Sequence, residues 1–131
     1  MAGFAGPNIV KDRLAYYLDA ANTQSYPGSG TTWTDISGKG RPDGILSNGP
    51  TFDSNNLGSI NFDGSNDRVN LSRPIGKNDA FSVDIWHKRG AQQDKYLYSE
   101  TSDSSNSPFW GITSKTGSSN SVSYTHLTLP T

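Results

Sequence analysis

Cysteine is absent from the chain, which excludes a disulfide framework and any thiolate metal site and leaves no record of redox compartment. Glutamate is nearly absent too. Among twelve acidic residues only Glu100 is a glutamate, so a pair of glutamates flanking a reacting bond cannot be assembled. Histidine occurs twice, as His87 and His126, which starves both zinc chemistry and serine–histidine catalysis of ligands and bases. Apolar residues make up 31% of the chain, and no apolar run approaches the roughly 18 residues that a membrane helix requires. The first residues carry neither a basic cluster nor a continuous apolar segment, so a secretory leader is not expected. Eleven basic residues against twelve acidic ones give a net charge of −1, which offers no electrostatic case for nucleic acid or an anionic membrane. Finally, no window keeps a 3.6-residue apolar period long enough to make a helix.

What the chain has in abundance is turn chemistry. Glycine and proline number 14 and 7, and they cluster with Asn, Asp and Ser in PGSG, SGKG, RPDG, SNGP and DGSND. Glycine supplies positive φ, proline presets φ near −65°, and Asn, Asp and Ser close turns through their own side chains. Between these breaks lie short β-type runs. Strands are predicted at 14–18, 32–36, 44–46, 51–52, 59–62, 68–71, 80–88, 96–99 and 109–113. The run at 80–88 alternates most cleanly, with Phe81, Val83, Ile85 and His87 on one face and Ser82, Asp84, Trp86 and Lys88 on the other. Residues 100–107 (ETSDSSNS) have almost nothing to bury and read as a mobile polar loop. This pattern predicts an all-β, antiparallel protein.

One stretch, residues 14–69, carries more than a grammar. Its YLDAAN, SYPGSGTTW, NGPTF and SINFDGSND segments resemble the concanavalin A-like, laminin-G-like jelly-roll domain, in the form found in bacteriophage tail and other virion proteins. The likeness continues more loosely through FSVDIWHK. Two departures stand out: Thr34 occupies a position where an aromatic is common, and KGRPD at 39–43 replaces an Asn/Gly-rich loop. The resemblance implies a two-sheet sandwich over 13–121, preceded by an extended lead-in at 1–12. The last ten residues, VSYTHLTLPT at 122–131, resemble a translated reading frame of a transposon-end sequencing adapter and are read as a non-native scar. Sandwich domains often need about 200 residues as one unit, so a sandwich truncated at its C-terminus is expected, with exposed strand edges and marginal stability.

The residues bear on three chemistries. For catalysis, Asp84 stands alone on its strand, His87 lies within a core-like periodicity, and His126 belongs to the adapter-like tail, so no enzyme is expected. For metal, Asp19, Asn22, Asp35, Asp63 and Asp67 are oxygen-rich loop candidates for calcium, yet none shows calcium-loop spacing, and closing Asx-turns is the simpler use for them. For carbohydrate, a sugar ring needs a flat aromatic and planar hydrogen-bonding groups. Trp86, Tyr26 and Trp110 are the candidate platforms, with Asp35, Asn48, Asn66, Asp84 and Arg89 as polar partners, whereas Trp33 and Phe62 fit a core.

The family resemblance implies a non-catalytic, glycan-contacting adhesion module of a phage virion or tail protein, placed outside the cell by release of particles. Its partners would be glycans or other virion proteins in a larger assembly, without nucleic acid or membrane insertion. A purely structural virion spacer and a glycosidase-related domain are the competing readings.

Overall fold

Turn residues cut the first half of the chain into strands of two to four residues, and the computed structural model describes residues 11–72, 81–88, 95–101 and 108–114. The chain divides into two units, Met1–Arg73 and Pro74–Thr131. In the first unit, β1 (Thr32–Trp33), β2 (Gly44–Ser47), β3 (Thr51–Asp53), β4 (Ser59–Asn61) and β5 (Arg68–Asn70) form two antiparallel sheets. One sheet has the order β1-β2-β5, with Trp33 opposite Gly44 and Leu46 opposite Val69. The other pairs β3 with β4, Phe52 facing Ile60, across a short 3-10 turn at Asn55–Leu57. In the second unit, β6 (Lys95–Thr101) pairs antiparallel with β7 (Pro108–Ser114), and the register shifts twice along the pair. No α-helix occurs among the described residues. Every strand pair among the described residues is antiparallel.

The passage from β2 to β3 changes sheets. It is made by Asn48 and Gly49, at φ 70° and φ 103°, and these left-handed conformations suit the two residue types that tolerate them best. The Asn48 side-chain amide donates to the Asn66 carbonyl at 2.7 Å, tying this corner to the loop before β5.

The core of the first unit is small and aromatic. Tyr26 (3% exposed) packs at 5.5 Å from Phe52 of β3 and edge-on at 6.4 Å from Trp33 of β1, so one ring bridges strands of both sheets. Leu46 of β2 is also buried. Gly44 leaves room for neighbours: a Cβ there would meet Val69 Cγ1 at 2.9 Å, with Leu71 and Leu18 just beyond. Gly58 is tighter. It sits at φ 124°, and a Cβ would lie 2.7 Å from the Ala20 carbonyl oxygen and 3.0 Å from the Phe52 ring.

Several expectations need correction. Residues 14–18 run beside 34–37 but form no regular ladder. The Ile36 amide donates to the Tyr17 carbonyl at 3.0 Å, while the Tyr17 amide is taken at 2.8 Å by the Asp35 carboxylate instead of a backbone carbonyl. A carboxylate likewise ends β1 early: beyond the Trp33–Gly44 pair, the Asp35 amide goes to Asp43 Oδ1 at 2.9 Å. The strand predicted at 32–36 is therefore two residues long. The cleanest predicted strand, 80–88, belongs to no ladder among the described residues, and 81–88 keeps the predicted alternation of exposure only in part: Ile85, expected on the covered face, is exposed along with Asp84 and Trp86. A strand assignment requires a hydrogen-bonded neighbour, which a period of two in the sequence does not supply. Phe62, expected in the core, is 48% exposed and lies just past the end of β4 at Asn61, beyond the ladder that would hold it against β3. Glu100 belongs to β6, while 102–107, the lead-in at 1–10 and the adapter-like 122–131 lie outside the described residues.

Candidate functional site

Asx-turns account for most of the acidic loop residues. Five times among the described residues an Asp or Asn side chain accepts the amide two positions on: Asp19 from Ala21, Asn22 from Gln24, Asp35 from Ser37, Asp53 from Asn55 and Asp63 from Ser65. This local acceptor geometry makes these residues good turn formers. The calcium candidates accordingly spend their oxygens on the chain's own donors. Asp19 and Asn22 share one turn, where Asp19 Oδ2 also accepts the Tyr17 hydroxyl at 3.1 Å. Asp35 binds Tyr17 and Ser37. Asp63 and Asp67 close their own loop, the Asp63 amide donating to Asp67 Oδ2 at 3.0 Å. Asp67 Oδ1 is buried without a partner among the described residues, a single oxygen where a hard cation takes six or more. No three His, Asp or Glu residues come together there as a metal centre.

Burial raises the Tyr17 hydroxyl above its ordinary value near 10, reinforced by the hydrogen bond to Asp19 and by the charge of that carboxylate. Beside it, the Arg41 guanidinium lies over the Tyr16 ring, 5.2 Å from its centroid, so the unusual 39–43 loop is anchored to the first segment. These contacts are structural.

The candidate sugar platforms separate sharply. Tyr26 is no platform: its ring is in the core and its hydroxyl donates to the Gly30 carbonyl at 2.8 Å. The SYPGSG loop around it suggested exposure, but a ring that can touch both sheets gains more from burial than from solvent. Trp86 is the opposite case, 83% exposed. Ser82, Asp84, Ile85 and Lys88 are exposed with it, while Phe81, Val83 and His87 are half-buried. Asp84 and Lys88 lie two positions to either side of the indole in the sequence. An exposed indole can stack a pyranose face, and a carboxylate or an ammonium near it can hydrogen-bond the hydroxyl rim. Trp110 lies in β7 at the register position opposite Glu100, its side chain outside the described residues, as is Arg89.

Sequence reading missed Ser25, Ser37 and Asp43. Ser25 is fully buried, its hydroxyl accepting the Asp19 amide at 3.0 Å and donating to the Thr34 carbonyl at 2.7 Å. Ser37 is 2% exposed and donates to Asp35 Oδ2 at 2.7 Å. The available signal was the Asp-x-Ser spacing of Asp35 and Ser37, which repeats in Asp63 and Ser65. Compared with known proteins, the chain matches no family profile, no curated protein and no solved structure.

Proposed function

We propose that this chain is a non-catalytic carbohydrate-binding module of jelly-roll type, serving a phage virion or tail protein by contacting glycans on a host surface. The observation that carries the reading is Trp86, an indole 83% exposed, with the exposed Asp84 and Lys88 two positions to either side of it in the sequence. Leaving so large an apolar ring in water is unfavourable, and stacking against the C–H face of a sugar relieves it. The antiparallel sheets and the sheet-changing corner at Asn48–Gly49 are what a two-sheet sandwich requires, and the sequence resemblance over 14–69 supplies the phage context.

Affinity at one such site would be weak and would be raised by many copies on one particle. A second reading, a virion spacer that binds no sugar, draws support from the five Asx-turns, which spend the polar loop groups on the chain's own backbone. A glycan array probed with the full chain displayed multivalently separates the two. The proposal expects signal on a restricted set of glycans and its loss in Trp86→Ala. No signal on any glycan overturns it in favour of the spacer, and signal unchanged by that substitution overturns the assignment of Trp86 as the platform.

A further inference from the structure

An Asp or Asn precedes a glycine at Asp43–Gly44, Asn48–Gly49 and Asp63–Gly64. Glycine, with no Cβ, is the residue that least hinders its own amide nitrogen from attacking the side-chain carbonyl before it. That attack is intramolecular and closes a cyclic imide, so local geometry and the leaving group decide where it happens. The fold closes two of the three places. Gly44 is buried in β2 opposite Trp33, and Asp43 Oδ1 accepts the Asp35 amide at 2.9 Å. Asp63 Oδ1 accepts the Ser65 amide at 2.7 Å, while the Asp63 amide is held by Asp67 Oδ2. Both also carry carboxylates, which are far poorer electrophiles than an amide.

Asn48–Gly49 is the one Asn–Gly pair in the chain. Both residues are exposed, and a Cβ at Gly49 would meet nothing within 4 Å among the described residues. We propose that Asn48–Gly49 is a self-modification site, where the chain converts asparagine to isoaspartate or aspartate without an enzyme and so unlocks the corner between β2 and β3. The Gly49 amide nitrogen gives its proton to hydroxide and bonds to Asn48 Cγ. The Cγ–Nδ2 bond breaks, and the nitrogen takes a proton from water and leaves as ammonia. Water then opens the imide. Addition at the side-chain carbonyl leaves aspartate; addition at the main-chain carbonyl leaves isoaspartate, whose backbone runs through the former side chain. One ammonia departs and one water is taken up, with no oxidant or reductant.

The hydrogen bond from Asn48 Nδ2 to the Asn66 carbonyl, 2.7 Å long, acts first as a latch. It holds the nitrogen that must leave, so the imide closes only when the latch opens. Afterwards the latch cannot re-form, because a carboxylate oxygen then faces a carbonyl oxygen and neither donates. The new charge arrives at the loop of Asp63 and Asp67, where Asp67 Oδ1 is already buried without a partner. Like charges there oppose one another, and Arg68 Nε is engaged by Asn70 Oδ1 at 3.2 Å. Isoaspartate also adds a main-chain carbon between Ser47, the last ladder residue of β2, and Thr51, the first of β3. The inference makes no use of the platform at Trp86, so either can fail alone.

Peptide mapping by mass spectrometry of the full chain, aged in warm, mildly alkaline buffer, tests it. Conversion at position 48 is expected ahead of every other asparagine, with isoaspartate, identified with isoaspartyl methyltransferase, among the products. Guanidinium chloride removes the latch and is expected to speed conversion at 48 severalfold. Asn48→Asp mimics one product and is expected to melt below both the wild type and Asn48→Gly, a variant that suits φ 70° and lacks latch and charge alike. Conversion first at another asparagine, absence of isoaspartate, equal rates in native and denatured chains, or Asn48→Asp melting at or above Asn48→Gly each overturns the proposal.

Discussion

Removing the carboxylate of Asp35 is expected to unfasten residues 14–19 from the rest of the first unit. That carboxylate accepts three hydrogen bonds: from the Tyr17 amide at 2.8 Å, the Ser37 amide at 3.1 Å and the Ser37 hydroxyl at 2.7 Å. Ser37 is only 2% exposed, so in Asp35→Ala its amide has little water to turn to, and leaving a buried donor unmet costs about 1–3 kcal/mol. Its hydroxyl retains the Ala15 carbonyl at 3.5 Å, a long contact that recovers part of the loss. The half-buried Tyr17 amide adds about 1 kcal/mol. Together these give a destabilisation of about 2–4 kcal/mol, large against the 5–15 kcal/mol typical of a folded domain. Asp35→Asn keeps an oxygen for both amides and presents an NH2 to the Ser37 hydroxyl, which can accept it, so its loss should stay near 1 kcal/mol. Urea denaturation of the full chain followed by far-ultraviolet circular dichroism gives the midpoint shifts. Amide exchange locates them: Tyr17 and Ile36 should exchange faster in Asp35→Ala, while Leu46, whose amide donates to the Thr31 carbonyl at 2.7 Å, should remain protected. An alanine variant within about 0.5 kcal/mol of wild type, or an asparagine variant as damaging as alanine, would refute the reasoning.

Gly58→Ala should destabilise by about 2–4 kcal/mol, since the added methyl meets the Ala20 carbonyl at 2.7 Å on a backbone at φ 124°. Gly30→Ala, at φ 91° with open space around it, isolates the backbone contribution of about 1 kcal/mol, and equal melting shifts for the two would remove the steric argument. Leu57 holds φ 75° while 74% exposed, so Leu57→Asn, losing little burial and tolerating that conformation better, should raise the thermal midpoint by the equivalent of about 0.5–1 kcal/mol. The raised Tyr17 hydroxyl makes the folded state keep a proton that the unfolded chain releases near pH 10. Its contribution is therefore fully present below pH 10 and is lost as pH climbs through the folded-state value, and Tyr17→Phe should flatten that alkaline decline in a urea titration.

The positions of β2 to β5 were legible because turn residues bracket each run, and the corner at Asn48–Gly49 was legible as a break for the same reason. Its role in changing sheets was not, because a pair at positive φ serves a hairpin or a corner equally well. The extents of the 14–18 and 32–36 segments escaped because Asp35 and Asp43 put side-chain oxygens where a ladder would put carbonyls, and β-propensity is blind to that exchange. At the candidate site, a period of two in 81–88 foretold the exposure of Ser82, Asp84, Trp86 and Lys88 but not that of Ile85, and the presence of a hydrogen-bonded neighbour is a long-range property that the period does not carry. Tyr26 and Phe62 exchanged roles for a comparable reason. Local polarity marked the first as a loop residue and the second as core, but reach across both sheets decided the outcome.

The tether at Asp35 has a consequence for how the first segment finds its position. Main-chain hydrogen bonding is repetitive, so two extended stretches can slide past each other by two residues and re-form equivalent bonds. A single aspartate acts instead as a peg: it fits the Tyr17 amide only when Ile36 also reaches the Tyr17 carbonyl, and no neighbouring residue of the 34–37 stretch carries another carboxylate. Alignment that a longer strand would secure through many weak repeats is here written into one side chain.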